Sequence, residues 1–292
     1  MSIVDVENER SSHSGVVHRG GGILFIILFY LGAAIANWQN YIILEPFIMA
    51  LLFSSVLLVI IGWIDDYKGL SVKMRFIIQL FAVSLSAYYL PSLWPSMPLF
   101  IEKSIIILAW IWFVNLYNFM DGADGFATQQ AIFICLALLI ITTFNSSLLA
   151  ILMCCLLGFL RVNYPKAKIF MGDIGSLFLG FVLGGFLLFY TSKNSISVID
   201  ALIITSLFSF DATYTLIKRA IGKKKVLQAH REHLYQRFLI ASHNHKQLFW
   251  LAIIYNCFML VVLYIGHYKN TPVGLVLICL LLLAYNKITA DK

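Results

Sequence analysis

The amino-acid sequence predicts an all-α, polytopic integral membrane protein of about ten transmembrane helices, organised as a single domain over residues 1–292. Three observations carry this prediction. The chain is 61% apolar and only 12% charged, about half the charge of an average soluble domain. Apolar runs of bilayer-spanning length recur from Gly22 to Ile288, and a backbone in hydrocarbon must satisfy its own polar groups, which selects helices. Lys and Arg are shared unequally between the two ends of those runs.

In order, the runs cover 22–38, 46–64, 74–90, 104–119, 126–144, 147–163, 174–191, 197–217, 247–267 and 272–288. Ten spans place both chain ends on one side. That side holds 1–21, 65–73, 120–125, 164–173, 218–246 and 289–292, and with Arg75, Arg161 and Lys287 at its helix ends it carries 18 of the 21 Lys plus Arg. Only Lys103, Lys193 and Lys269 fall on the other. The positive-inside bias makes the basic side cytoplasmic. The net charge of +7 then belongs to that face and suits phosphates or anionic head groups; no basic soluble domain is present to take nucleic acid. The five cysteines, Cys135, Cys154, Cys155, Cys257 and Cys279, all fall within spans and read as small apolar packing residues. Arg10, Arg19 and the run from Ile23 to Ala34-Ile35-Ala36 imitate a signal peptide. Cleavage there would discard polar residues that look functional, so the segment is read as retained.

The acidic residues are few, and their placement is informative. Asp65-Asp66, Asp121, Asp124, Asp173 and Asp211 all lie at or near cytoplasmic ends of spans. Ionisable groups at membrane depth are costly and point to function. One alone reads equally well as a helix cap, but five such sites on one face do not.

In "GWIDDYKGLSVKMRF", residues 62–76, adjacent carboxylates close a span and would welcome a cation, while Ser71 suits the cap of the next helix. In "NLYNFMDGADGFA", residues 115–127, Asn115 and Asn118 are neighbours on one helix face, Asp121 follows as that helix ends, and Asp124-Gly125 open the next. Amide and carboxylate oxygens converging on a tight turn suit a hard cation such as Mg²⁺; interhelical hydrogen bonding would explain the asparagines but not the acidic turn. In "KAKIFMGDIGSLFLGF", residues 166–181, Asp173 sits where a helix begins and its N–H groups hold anions, with Gly172 and Gly175 expected to let backbone approach a ligand. The segment 218–238 has seven Lys and Arg. Lys223 to Lys225 read as charge for orientation or lipid attraction, whereas His230-Arg231-His233 could grip a diphosphate.

These pieces resemble the polyprenyl-phosphate N-acetylhexosamine-1-phosphate transferases, membrane enzymes of the glycosyltransferase 4 kind that start peptidoglycan lipid, teichoic acid and O-antigen assembly. The matching stretches are "RSSH" (10–13) with "RGGG" (19–22), "DDYKGLS" (65–71), "NLYNFMDGADGFA" (115–127), "NYPKAKIFMGDIGS" (163–176) and "HREHLYQRF" (230–238), in family order across nearly the whole chain. The last is most similar to the enzymes that initiate O-antigen or capsule synthesis. The resemblance implies transfer of sugar-1-phosphate from a UDP-N-acetyl sugar, a 6-deoxy sugar included, to undecaprenyl phosphate with release of UMP. It implies a site facing the cytoplasm of the bacterial inner membrane and dependence on Mg²⁺, which Mn²⁺ could replace. It places Asn118 and Asp173 beside the metal, and Asp65 and Asp66 beside the lipid phosphate, one as its base. Asp121 and Asp124 would shape the nucleotide site with Asn115 nearby, Phe170 would stack on uracil, and Asn163 and Lys168 would lie close to the nucleotide. His230, Arg231 and His233 would meet the sugar diphosphate. Expected partners are both substrates and membrane lipid, in a chain compatible with a homodimer. Two features depart from the family: its members carry a further span before "RSSH", and Glu7 and "GVV" (15–17) stand where it has prolines, so this loop is expected to differ in shape.

Three other classes compete. A Mg²⁺-dependent membrane prenyltransferase also uses Asp motifs but lacks the "GDIGS" and "HREH" pieces. A transporter would set its charges near mid-span on broken helices, whereas these acids sit at span ends. An intramembrane aspartyl protease would need Gly-x-Gly-Asp at Asp173, where Phe170-Met171-Gly172 stand.

Overall fold

A computed structural model of the chain describes residues 4–5, 17–142, 146–224 and 230–269. Two short strands, β1 (Val4–Asp5) and β2 (Val17–His18), pair antiparallel. The helices are α1 (Gly22–Trp38), α2 (Pro46–Lys68), α3 (Val72–Tyr89), α4 (Leu99–Phe119), α5 (Phe126–Ile141), α6 (Ser147–Asn163), α7 (Gly172–Ser192), α8 (Val198–Ile221), α9 (Leu234–Ser242) and α10 (His245–Lys269). Among the described residues, α2, α4, α7, α8 and α10 are long and apolar enough to cross a membrane, while α1, α5 and α6 are shorter apolar helices. The chain is a multi-pass membrane protein.

Local chemistry sets the boundaries. Pro46 occupies the first turn of α2, where its missing N–H costs nothing. Ser71 caps α3 by accepting the Met74 N–H at 3.3 Å, as its position predicts. Ser197 and Asp200 exchange hydrogen bonds in a capping box at the start of α8. The acids at that end of the bundle are spent on structure. Buried Glu102 accepts the Leu93 N–H at 2.5 Å and the Ser92 hydroxyl at 2.7 Å, tying down the α3–α4 connection.

The core is built around α7. Every residue from Ile174 to Leu187 is buried, an all-round apolar helix enclosed by others. It packs most extensively on α2 and α4, with α1, α5 and α8 around the rest. Glycine makes the α2 contact possible. A Cβ on Gly62 would fall 2.5 Å from the Ile174 Cα and 2.6 Å from its backbone nitrogen, so only a bare backbone fits. Trp110 of α4 stacks on Phe181, ring centroids 4.9 Å apart, and donates its indole N–H to the Phe181 carbonyl at 2.9 Å.

Nine of the ten expected spans correspond to α1–α8 and α10; the tenth, 272–288, lies outside the described residues. Two boundaries move with consequence. Helix α2 continues to Lys68, so Asp65 and Asp66 are in its last turn rather than beyond it. Helix α9 rises inside the expected loop 218–246, because Asp211 supplies a cap from a distant helix. The cysteine expectation is corrected: Cys135 is buried, but Cys154 and Cys257 are exposed and Cys155 is half-buried, facing outward where lipid, not core, receives them.

Gly62→Leu is expected to force α2 from α7 and to cost about 1–3 kcal/mol through overpacking, seen as a lower unfolding temperature in detergent.

Candidate active site

The acidic motifs converge at one end of the bundle, the end that carries residues 65–71 and 120–125. Asp66 accepts the Asp173 N–H at 3.0 Å on Oδ1 and the Ile174 N–H at 3.1 Å on Oδ2. A side chain from α2 thereby caps the first turn of α7, satisfying donors that the helix itself leaves open. Gly172 holds a φ of +71° and lies where a Cβ would strike the Asp66 carboxylate. Gly172 makes room for Asp66, and Gly175 for the backbone of Gly22 on α1.

Asp65 is also engaged. Its Oδ1 accepts the Leu70 N–H at 2.5 Å and its Oδ2 the Arg75 guanidinium at 2.8 Å. Arg75 Nη1 lies 3.8 Å from Asp173 Oδ2, so the cation spans two acids. Asn118 donates to Asp173 Oδ1 at 2.6 Å and to Ser176 Oγ at 2.9 Å. Asp121 stands half-buried on the turn after α4. Burial, with the nearby Asp173 and Asp66 carboxylates, holds its carboxyl well above the usual range, against the pull of Arg19. Negative charge here is under-compensated by the protein.

Beside this cluster opens a cavity of about 500 Å³. Its polar mouth has Arg75, Asn118, His230, His233 and Gln236, with Val72 on the first turn of α3; further along α3 and α4 it is lined by Phe76, Leu108, Ile111 and Trp112, interrupted by Gln79 and Asn115. Asp211 of α8 accepts the Leu234 N–H at 2.7 Å and the Tyr235 N–H at 3.1 Å. That cap starts α9 at the cavity rim and fixes the turn carrying His230, Arg231 and His233. The rings of His230 and His233 lie 4.8 Å apart. Burial, His233 and the cationic Arg219 push the His230 pKa down to about 4, so its imidazole is neutral at physiological pH. Arg231 Nη2 is buried without a hydrogen-bond partner among the described residues, a donor left for something other than protein, while His233 Nδ1 lies 3.6 Å from the Asp211 carboxylate.

The remaining expected residues sit on the loop between α6 and α7. Asn163 is buried, accepting from Thr128 Oγ1 at 2.6 Å and donating to the Ile169 carbonyl at 3.0 Å; it anchors the loop from inside. Asp124 accepts the Ala167 N–H at 3.1 Å, and its own N–H reaches His245 Nδ1 at 3.1 Å. Lys168 is exposed and Phe170 half-buried. The Phe170 N–H reaches the His18 carbonyl at 2.9 Å, so the "RGGG" stretch is stitched to this loop. Asn115 faces α3, donating to Gln79 at 2.8 Å. The structure thus brings Asp65, Asp66, Asn118, Asp121 and Asp173 together, sets His230 and His233 at the cavity mouth with Arg231 on the turn between them, and holds Lys168 and Phe170 on an adjoining loop anchored by Asn163 and Asp124.

Sequence reasoning passed over Arg75, Gln79, Ser176, Gln236 and His245. Arg75 was visible only as orientation charge. Gln79 carried a signal, a polar side chain inside an apolar span, that reads as functional on the rule applied to the acids.

A profile described as glycosyl transferase family 4 matches residues 48–191, the stretch from α2 through α7. The chain is 28% identical over 265 residues to a probable undecaprenyl-phosphate N-acetylglucosaminyl 1-phosphate transferase of Bacillus subtilis, covering 84% of this chain and 72% of that one. It is 31% identical over 248 residues to the phospho-N-acetylmuramoyl-pentapeptide-transferase of Staphylococcus epidermidis, covering 73% and 75%. A protein of that name from Chlamydia trachomatis is 30% identical over 215 residues, covering 60% and 62%.

Asp211→Ala is expected to cost about 1–2 kcal/mol by uncapping α9, with faster amide hydrogen exchange at Leu234 and Tyr235. His230 gives a pH signature. Its folded pKa of about 4 lies below its ordinary 6.5, so the unfolded chain binds the proton first. Stability is complete above about 6.5 and declines as pH falls toward 4. His230→Gln is expected to flatten that part of the stability–pH curve.

Proposed function

Because the chain belongs to glycosyl transferase family 4, among the polyprenyl-phosphate N-acetylhexosamine-1-phosphate transferases, we propose that it joins a UDP-N-acetylhexosamine to undecaprenyl phosphate at the cytoplasmic face of the bacterial inner membrane. The product is undecaprenyl diphosphate–sugar, and UMP leaves. We assign it to the first committed step of an O-antigen or similar envelope polysaccharide, with a 6-deoxy sugar among the candidate donors. The observation that carries the reading is the meeting of an apolar cavity with a mouth of Arg75, Asn118, His230 and His233, beside carboxylates on rigid helix ends. A lipid with a charged head needs both halves.

In this reading the lipid chain lies against Phe76, Leu108 and Trp112, and its phosphate stands at Arg75 and Asn118. The UDP-sugar approaches from the α6–α7 loop, where Phe170 offers a face to uracil and Lys168 a charge. Arg231, with its unpaired donor, and His233 take the diphosphate. An oxygen of the lipid phosphate attacks the phosphorus bearing the sugar, and the bond to the UMP phosphate breaks. That oxygen is already ionised at neutral pH, so the protein positions more than it deprotonates. Asp65 and Asp66, whose oxygens are taken by Arg75 and backbone N–H groups, contribute by aiming Arg75 and α7.

The residues fit a divalent cation. Asp121, Asp173 and Asp66 are mutually repelling. That suits Mg²⁺, or Mn²⁺ in its place, which takes one or two protein oxygens and completes its shell with phosphate and water. Asp173 and Asn118 would hold it with Asp121 nearby. When bound, it would neutralise charge on the transferring phosphate.

The experiment is UMP release from purified protein given undecaprenyl phosphate, Mg²⁺ and a panel of UDP-N-acetyl sugars. Release is expected to require lipid and metal and to fall at least about a hundredfold in Asp173→Ala. Silence from folded protein across the panel would overturn the reading, and the best donor would identify the polysaccharide.

A further inference from the structure

Gln79 and Asn115 interrupt the apolar wall of the cavity, and nothing above gives them work. Gln79 is 1% exposed, on a face of α3 that meets α4. The Asn115 amide donates to the Ile111 carbonyl at 2.8 Å and to Gln79 Oε1 at 2.8 Å. The first bond fixes the orientation of both side chains. A carbonyl can only accept, so the Asn115 NH₂ is at that end. Gln79 must then turn its oxygen to Asn115 and its NH₂ away. Among the described residues that NH₂ has no hydrogen-bond partner, and Gln79 and Asn115 both line the cavity. A free amide donor therefore borders an apolar channel.

Its depth is set by helix geometry. Asn115 precedes Asn118 by three residues and Gln79 follows Arg75 by four, which puts the pair about 4.5–6 Å below the polar mouth. A phosphate held at Arg75 and Asn118 places the atoms three to four bonds beyond its phosphorus at this level, about 4–5 Å away by ordinary bond lengths. In an allylic polyprenyl phosphate those atoms are the double bond of the first isoprene unit. In an α-saturated polyprenyl phosphate they are a saturated CH₂–CH(CH₃) unit. An amide N–H interacts favourably with a π-face and gains nothing from an alkane.

We propose that Gln79, held by Asn115, is a specificity-determining residue that reads the first double bond of the lipid acceptor and favours allylic over α-saturated polyprenyl phosphates. This rests on the assignment of the cavity to the lipid acceptor. The pair is a poor packing choice for an all-carbon wall, since an unpaired amide in hydrocarbon costs free energy; its place is explained by a ligand that uses it.

The test compares two acceptors of equal chain length, undecaprenyl phosphate and its α-dihydro analogue, as kcat/KM at saturating UDP-sugar. Wild-type protein is expected to favour the allylic lipid about two- to fivefold, the scale of a weak N–H to π contact. Gln79→Met, of similar volume and without the donor, is expected to bring the ratio to one while the KM for UDP-sugar stays unchanged. Asn115→Leu, which frees Gln79 to rotate, is expected to reduce the ratio as well and gives a second reading if the methionine variant folds poorly. Equal losses on both lipids, with the preference intact, would show a purely structural role and overturn the proposal, as would a wild type without preference. Wild-type protein that transfers to neither lipid would instead overturn the transferase reading, and this inference with it.

Discussion

The carboxylate of Asp66 against the first turn of α7 is the contact on which the rest depends. It joins the end of one buried helix to the start of another, and every neighbouring choice serves it. Gly172 adopts a positive φ so that the turn can close over the carboxylate. Gly62 carries no side chain, so α2 can lie on the α7 backbone. From the α4 side Asn118 donates to both Asp173 and Ser176. In an apolar medium the first N–H groups of a helix cannot turn to water. A buried helix start therefore has to be capped by protein, and here the cap is an acid.

The same device recurs. Asp211 caps α9 from α8, Asp65 holds the turn into α3, and Asp124 holds the α6–α7 loop through Ala167. Four acids thus act as anchors that fix irregular backbone at the membrane surface. The expense is negative charge concentrated at one end of the bundle, only partly offset by Arg75 and Arg19. Asp121 shows the balance most clearly, its carboxyl held far from its usual range by burial and its neighbours. A cation and two phosphates arriving together would complete this arrangement: the cation takes the surplus charge and the phosphates take Arg231, His233 and Arg75.

The cavity separates two chemistries without a partition. Its mouth is cationic and polar, and its wall is aliphatic and aromatic apart from one amide pair. A substrate that is half anion and half hydrocarbon finds both environments along a single line running down α3 and α4. In the proposed reaction the orientation of the acceptor would follow from its own amphipathy, with helix ends setting the position of its charge.

The sequence by itself determined the membrane class, nine of the described helices and the identity of the acidic motifs, because apolar run length and rare ionisable residues are local signals that survive without coordinates. It also placed the cap at Ser71 correctly and the start of α7 near Asp173, since these signals are local too. Only the tertiary structure decided what each motif does. That Asp66 caps α7 across 107 positions, that Asn163 points inward to Thr128, and that α9 forms because Asp211 reaches it are pairings between distant segments, and no periodicity encodes them. Arg75 and Gln79 became meaningful for the same reason. Each is one residue on a helix face, and its role came from the helix opposite.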